Sequence, residues 1–198
     1  NPIINGKKIE FEIKNGNSNI EGWIQRANLK CPCCGSITDT NTLKTQFKNG
    51  LTSERLLCTI YDSTDGKVYR LPTKNEIDIL TKINKNQIRP TEKMEVGNNR
   101  NFNTPGWGVD EFGQMFSDRQ ILSMNTLVES LMEIKQSFKI KNGNYHCALV
   151  TYLAIFIDRI SSRMTSFGLW HTKGEKLEQP FGRQAIPMVF DFPESNPF

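Results

Sequence analysis

The sequence contains no stretch of apolar residues long enough to cross a membrane. A membrane-spanning helix needs about 20 consecutive, mostly apolar residues, and the longest such run, residues 148–157, has roughly half that length. Asp158 and Arg159 follow the run at once. The short apolar run at residues 148–157 therefore favours a helix buried in a protein core. We expect no membrane partner.

Cysteine is scarce, with five residues in the chain. Three of them stand together at positions 31, 33 and 34, while Cys58 and Cys147 stand alone. An odd and clustered set is unlike the disulfide framework of small secreted proteins. The cysteine pattern therefore predicts a cytoplasmic protein.

The sequence also lacks the residue patterns that carry catalysis. It has no paired carboxylates, no Ser-His-Asp set and no cluster of metal ligands with the usual spacing. Gly106, Gly108 and Gly113 have neither the spacing nor the preceding strand of a phosphate-binding loop. His171, beside Trp170, is more typical of a packed residue than of a base or a ligand. We expect that this chain alone catalyses no reaction.

Its composition is ordinary for a globular protein, with 37% hydrophobic and 23% charged residues. The net charge of +4 comes from the first hundred residues, where basic side chains outnumber acidic ones. Such an excess suits a surface that faces nucleic acid, and it is equally common on a surface that faces only solvent.

The first half of the chain predicts mainly β-structure. Residues 7–14 alternate apolar and charged side chains, the pattern of a half-buried strand. Residues 55–62 and 67–71 flank an Asp-Gly turn and predict a hairpin. Thr73 and Glu76 form a capping-box pattern that predicts one short helix. Residues 84–104 then lose periodicity, which predicts a loop.

The second half predicts helices. Ser117 and Gln120 form another capping-box pattern before an amphipathic helix. Its apolar stripe reaches Phe138, and the helix should stop near Asn142-Gly143. Residues 145–163 predict a second helix, apolar nearly all round and therefore buried on most sides. The short connection predicts that the two helices pack antiparallel. An extended segment should follow them to the end of the chain.

The segment Cys31-Pro32-Cys33-Cys34-Gly35 contains a Cys-x-x-Cys pair followed by glycine. Two thiolates at this spacing can bind one zinc ion, but a structural zinc site needs four ligands and the sequence offers no second pair. Three interpretations stay open: half of a zinc ribbon, a redox dithiol, or cysteines without a role. The redox interpretation is weakened because such pairs usually open a helix, and the sequence after Cys34 shows no helical pattern.

Aromatic and basic residues come together after the second predicted helix: Trp170, Lys173, Lys176 and Arg183. Aromatic rings stack on extruded bases, and lysine or arginine neutralises phosphates. These residues are therefore candidate DNA contacts. The alternative is that Trp170 packs in the interior and that the cations pair with Asp158, Glu175 and Glu178.

Four blocks of the sequence resemble a known family. They are residues 31–35 (CPCCG), 67–80 (KVYRLPTKNEIDIL), 107–131 (WGVDEFGQMFSDRQILSMNTLVESL) and 163–198 (RMTSFGLWHTKGEKLEQPFGRQAIPMVFDFPESNPF). In this order they are similar to the zinc-ribbon-containing, adenine-specific DNA methylase family of prokaryotes. They resemble its internal segment between the cofactor-binding motif and the catalytic Asp-Pro-Pro-Tyr motif.

The resemblance implies roles for particular residues. Cys31 and Cys34 would be two zinc ligands of a half ribbon, Cys33 would occupy a variable position, and the companion cysteine pair would precede Asn1. An arginine and an acid of the family stand at Arg183 and Asp191. The parent enzyme would bind S-adenosylmethionine, because this chain has neither the Phe-x-Gly-x-Gly loop nor Asp-Pro-Pro-Tyr.

Taken together, the sequence predicts an α+β fold. A small β-rich region with half a zinc ribbon covers residues 1–100, and a helical region with two long antiparallel helices covers residues 101–198. The first residue, Asn1, and the final Asn-Pro-Phe lead us to expect an internal piece of a longer protein.

The predicted function is target recognition or substrate access in a DNA adenine methyltransferase of restriction–modification or phage defence. Its partners would be DNA and the remainder of the parent methylase. Two alternatives are a stand-alone zinc-ribbon module that binds nucleic acid, and a structural insert that forms a homodimer through an exposed apolar helix.

Overall fold

The computed structural model describes residues 1–16, 21–26, 28–98, 100–137, 143–182 and 184–198. The chain forms two compact units, Asn1–Lys82 and Ile83–Phe198. The described residues form a mixed α+β structure with small antiparallel sheets and four α-helices. The predicted α+β class is therefore confirmed at this level.

The first unit begins with a two-stranded antiparallel hairpin. Strand β1 spans Pro2–Asn5 and strand β2 spans Lys8–Phe11. The predicted strand over residues 7–14 is confirmed as β2, although it ends at Phe11. Arg55 holds this hairpin from outside, because its guanidinium donates to the Ile9 carbonyl at 2.7 Å and lies 4.9 Å from the centre of the Phe11 ring.

A three-stranded antiparallel sheet follows, with strands β3 (Ile24–Gln25), β4 (Asn28–Lys30) and β5 (Ile37–Thr38) in that order. Helix α1, Thr40–Lys48, comes directly after β5 and contacts β4. Sequence analysis missed α1, so the expectation that no helix follows Cys34 is wrong. The signal was present in Asp39, whose carboxylate accepts the Asn41 and Thr42 amides as an N-cap.

The predicted hairpin around Asp65-Gly66 is confirmed. Strand β6 spans Thr59–Ser63, strand β7 spans Gly66–Arg70, and Thr64 and Asp65 form the two-residue loop. Residues 55–58 were included in the predicted strand but lie outside β6.

Helix α2, Lys74–Leu80, begins with the predicted capping box of Thr73 and Glu76. Arg70 also holds Glu76, through two hydrogen bonds of 2.8 and 2.6 Å to its carboxylate oxygens. These bonds, followed by those from Thr73, lower the pKa of Glu76 to about 2. One carboxylate thus joins the end of β7 to the start of α2.

The second unit begins with an irregular stretch, as the loop prediction for residues 84–104 implies. Its isolated bridges pair Lys93 with Glu111 and Phe102 with Ile186. Met94, only 3% exposed, lies inside the core. The irregular stretch is therefore packed against the rest of the unit through Met94. No periodic pattern in the sequence predicts that this methionine is buried.

The core of the second unit is built from residues far apart in the sequence: Met94, Met115, Phe167 and Ile186. Met115 belongs to the 3₁₀ helix Phe112–Met115, and another 3₁₀ helix covers Thr104–Trp107. The Met115 carbonyl accepts three hydrogen bonds, from the Ser166 amide (2.8 Å), the Ser166 hydroxyl (2.7 Å) and the Thr165 hydroxyl (2.9 Å).

Helix α3, Asp118–Ser137, starts at the second predicted capping box. The Gln120 side chain accepts the Ser117 amide, and the Ser117 hydroxyl accepts the Gln120 amide. The predicted stop near Asn142-Gly143 falls at the edge of the described residues, because Asn142 lies outside them and Gly143 already belongs to the next helix. Helix α4, Gly143–Ser161, packs against α3, which confirms that the two helices form a pair.

The expectation that α4 is buried on most sides is wrong. None of its side chains is fully buried, and four of its large apolar residues are exposed by 58–73%: Tyr145, Tyr152, Ile155 and Phe156. One face of α4 packs on α3, and a second face, which carries Tyr152, Ile155 and Phe156, is left uncovered by this unit's described residues. No helix in the described ranges is long and apolar enough to cross a membrane.

The chain then forms a short hairpin, strands β8 (Leu169–His171) and β9 (Lys176–Glu178), and a 3₁₀ turn at Pro180–Gly182. Residues 184–198 have no helix or strand of their own, as the predicted extended segment implies. They are fixed by a Trp107–Phe190 ring contact at 5.0 Å and by Glu194, whose carboxylate accepts from Arg119 at 2.9 Å and Ser117 at 3.1 Å.

The bonds on the Met115 carbonyl predict a specific effect on stability. We expect Thr165→Val to lower the free energy of unfolding by about 1 to 3 kcal/mol, because the fully buried hydroxyl donates to Met115 and accepts the Phe167 amide. Thr151→Val is the matched control, since that exposed hydroxyl bonds only to its own helix at Cys147. Urea unfolding measures both; equal effects would contradict the prediction.

Candidate functional site

The cysteine knuckle, residues 31–36, connects β4 to β5 at one end of the three-stranded sheet. The Gly35 amide donates to the Cys31 carbonyl at 2.8 Å, and the Cys31 amide donates to the Ser36 carbonyl at 2.8 Å. Gly35 has a φ of +75°, a left-handed conformation that glycine adopts without strain. This tight turn folds the chain back on itself between Cys31 and Ser36.

The knuckle distinguishes its two adjacent cysteines chemically. The pKa of Cys34 is lowered, mainly by hydrogen bonds from the Ser36 hydroxyl, whose oxygen lies 3.1 Å from the Cys34 sulfur, and from the Ser36 amide. The pKa of Cys33 is raised, first by desolvation and then by the nearby Cys31. Cys34 therefore reaches the thiolate form, the form that binds metal, more readily than Cys33 does.

A tetrahedral zinc site takes four ligands, and Cys31 and Cys34 could supply two of them. In the described parts of the chain, no group of three or more His, Cys, Asp or Glu residues is arranged to hold a metal. Cys58 lies between the hairpins of the first unit, where burial raises its pKa. The described residues thus show no complete metal site. Ser36, which lies 3.1 Å from the Cys34 sulfur, is a residue of the knuckle that sequence analysis did not identify.

The knuckle does not have the setting of a common redox dithiol. Such pairs lie at the start of a helix, whose amides lower the thiol pKa. Here the pair lies in a turn between two strands, and α1 begins only at Thr40, beyond β5. Hydrogen bonds from Ser36, rather than a helix terminus, favour the thiolate.

The predicted DNA contacts Trp170, Lys173 and Lys176 belong to one element, the basic hairpin, residues 169–178. In its register Trp170 pairs with Leu177 and His171 pairs with Lys176. Because side chains alternate between the faces of a strand, Trp170 and Lys176 lie on opposite faces. The hairpin thus brings the three residues into one element without placing the ring and this ammonium side by side.

His171 organises the turn of the basic hairpin. Its Nδ1 atom accepts a hydrogen bond from the Gly174 amide at 2.8 Å. A Cβ atom at position 174 would lie only 2.7 Å from this nitrogen, so glycine is required for the close approach. One ring nitrogen of His171 is therefore engaged in the turn that presents Lys173.

The cations of the basic hairpin are exposed. Lys173 and Lys176 both face solvent, and within the described residues neither takes part in an ion pair. A third cation, Arg159 at the end of α4, contacts the residue just after β9, because its guanidinium donates to Gln179 at 3.3 Å. Sequence analysis missed Arg159, since no local pattern relates residues twenty positions apart.

Arg183, the remaining predicted DNA contact, lies outside the described residues and stays a prediction. The knuckle belongs to the first unit and the basic hairpin to the second. Comparisons with protein-family models, with curated proteins and with solved structures find no match for this chain. Inference about its function therefore depends on the four sequence blocks and on the geometry of these two elements.

Proposed function

We propose that the chain is an internal part of an S-adenosylmethionine-dependent DNA adenine methyltransferase, in which it contributes target recognition or substrate access. The observation that carries this proposal is the resemblance of four sequence blocks, in order along nearly the whole chain, to that family. The parent would hold the cofactor and the catalytic motif, and this chain would act on how DNA reaches them.

The basic hairpin supports a contact with DNA. Lys173 and Lys176 are exposed, and Arg159 donates to Gln179, the residue that follows β9. Cations on a short, well-defined hairpin can each neutralise one phosphate and fix the position of the duplex. The His171–Gly174 bond holds the tip in one shape, which lowers the entropic cost of binding.

Binding of duplex DNA tests this role. We expect the double variant Lys173→Ala/Lys176→Ala to bind more weakly and to reduce the slope of log affinity against log salt by about 2, because roughly one counterion is released per phosphate contact. Adding Arg183→Ala should reduce the slope by about 1 more. Anisotropy titrations over a salt series measure the effect.

Lys85→Ala/Lys135→Ala is the matched control, since it removes two exposed lysines from the same unit. It should leave the slope close to that of the wild type. If both double variants change the slope equally, the hairpin has no special part in DNA contact and this role is wrong.

The knuckle supports a structural zinc site that this chain completes only in part. Cys31 and Cys34 would be the ligands, and the second pair would come from the preceding part of the parent. Zinc bound in this way would join the two segments of chain and stabilise the first unit.

Zinc titration with a chromophoric chelator tests the ligand assignment. Since two knuckles together supply four thiolates, we expect at most one zinc ion per two chains. Cys31→Ser and Cys34→Ser should each abolish binding, whereas Cys33→Ser should keep it, because the raised pKa of Cys33 disfavours its thiolate. One zinc ion per chain, or equal losses for all three variants, would overturn the half-ribbon assignment.

A second candidate function, a structural insert that assembles two copies, is favoured by the uncovered face of α4. Apolar side chains exposed by more than half over three helical turns are typical of an interaction surface. In this case sedimentation should give the mass of two chains, and Phe156→Glu should give the mass of one. Thr151→Glu, on the same helix but polar already, is the control; a monomeric wild type would exclude this candidate.

A further inference from the structure

A cleft of about 480 Å³ opens in the first unit, and the cysteine knuckle contributes no described residue to it. Three segments line it: residues 13–15, which follow β2, Cys58, which precedes β6, and residues 67–69 of β7. Its volume lies within the size range of small-ligand sites, which begins at about 300 Å³. We call it the lysine cleft, because the charged residues of its lining are Lys14 and Lys67.

Contacts beside the lysine cleft hold two of its walls together. Arg55 stands three residues before Cys58, and its guanidinium donates to the Ile9 carbonyl of β2 at 2.7 Å. The same guanidinium lies 4.9 Å from the centre of the Phe11 ring, at the end of β2. The segment that leads to Cys58 is thus fixed against β2, and the chain that continues from β2 forms another wall of the cleft.

Both lysines of the cleft have an ion pair with a carboxylate that does not line it. Lys14 Nζ lies 2.5 Å from a Glu12 oxygen, and Lys67 Nζ lies 2.6 Å from an Asp62 oxygen. The Asp62 side chain is 84% exposed, whereas that of Lys67 is 28% exposed. An ammonium has three donor hydrogens, and exposed ion pairs contribute little free energy. An incoming anion can therefore share or replace these partners.

Much of the remaining lining is apolar or aromatic, with Ile13, Val68 and Tyr69. Val68 and Tyr69 are half-buried, and Ile13 is 40% exposed. Because side chains alternate along a strand, Tyr69 and Lys67 lie on the same face of β7. The cleft thus combines positive charge with apolar surface, and a ligand that fits it carries an anionic group on a compact apolar body.

We propose that the lysine cleft binds a small organic phosphate, a phosphomonoester whose body is apolar or aromatic. The phosphate would lie between the ammonium groups of Lys14 and Lys67, since lysine binds phosphate as a point charge. The body would lie against Ile13 and Tyr69. A phosphomonoester carries a charge of about −1.5 to −2 at neutral pH, which suits two cations better than the single charge of a carboxylate. This inference goes beyond the proposed function and does not rest on it.

Binding of phenyl phosphate to the full chain tests the inference by titration calorimetry, and alkylation of Cys58 locates the bound ligand. Because burial raises the pKa of the Cys58 thiol, the reaction with iodoacetamide is run at alkaline pH and followed by mass spectrometry. We expect phenyl phosphate to slow alkylation of Cys58 and to leave the exposed Cys147 of the other unit unaffected. No binding, or binding that slows both cysteines equally, would overturn the inference.

The lysines have their own variants. Lys14→Gln/Lys67→Gln should weaken the binding of phenyl phosphate roughly tenfold or more, because it removes two charge-assisted hydrogen bonds. Lys8→Gln/Lys48→Gln is the matched control: Lys8 also pairs with a carboxylate two residues away, at 2.5 Å from Glu10, and Lys48 is exposed in the same unit. Equal losses in both double variants would contradict the assignment. If the Lys67 variant is unfolded in urea titrations, Lys14→Gln against Lys8→Gln gives the same comparison.

A comparison of ligands tests the chemical class. Benzoate keeps the ring with a single charge, and inorganic phosphate keeps the charge without a ring, so each should bind more weakly than phenyl phosphate. Ile13→Ala should weaken phenyl phosphate and leave inorganic phosphate nearly unchanged. Equal binding of benzoate would refute the phosphate, and equal binding of inorganic phosphate would refute the apolar body. If duplex DNA displaces phenyl phosphate, the cleft belongs to a DNA-binding surface and the inference is wrong.

Discussion

The second unit depends on one backbone acceptor, the carbonyl of Met115. Three donors from Thr165 and Ser166 meet there, fifty residues further along the chain. They fasten the exit of α4 to the 3₁₀ helix that carries Phe112, and Phe167 enters the core immediately afterwards. Because the basic hairpin starts at Leu169, it takes its position from this junction. A buried carbonyl in such a place must be satisfied, and polar side chains do so without opening the core to water.

Local signals in the sequence predicted the parts of the fold that local interactions determine. The two capping boxes, at Thr73 and Ser117, and the Asp-Gly hairpin each need only a few neighbouring residues to form. Helix α1 escaped detection because its N-cap, Asp39, is followed by polar residues with only Leu43 and Phe47 on the packed face. The hairpin β8–β9 escaped because its strands have three residues each, too few for an alternating pattern to be recognised.

Features set by distant contacts could not be predicted. Met94 lies in an irregular stretch, and its burial depends on Met115, Phe167 and Ile186. The exposure of Ile155 and Phe156 could not be predicted either. In a helix that is apolar on all sides, the sequence does not show which face packs against another element. For the candidate site, the sequence identified Cys31, Cys34, Trp170, Lys173 and Lys176. It did not reveal that Ser36 tunes Cys34, that His171 shapes the turn, or that Trp170 and Lys176 lie on opposite faces.

The uncovered face of α4 has a consequence for the life of the chain in a cell. Chaperones and proteases engage apolar surface that stays open, and they do so continuously. A chain that displays Tyr152, Ile155 and Phe156 would persist only as long as something shields them.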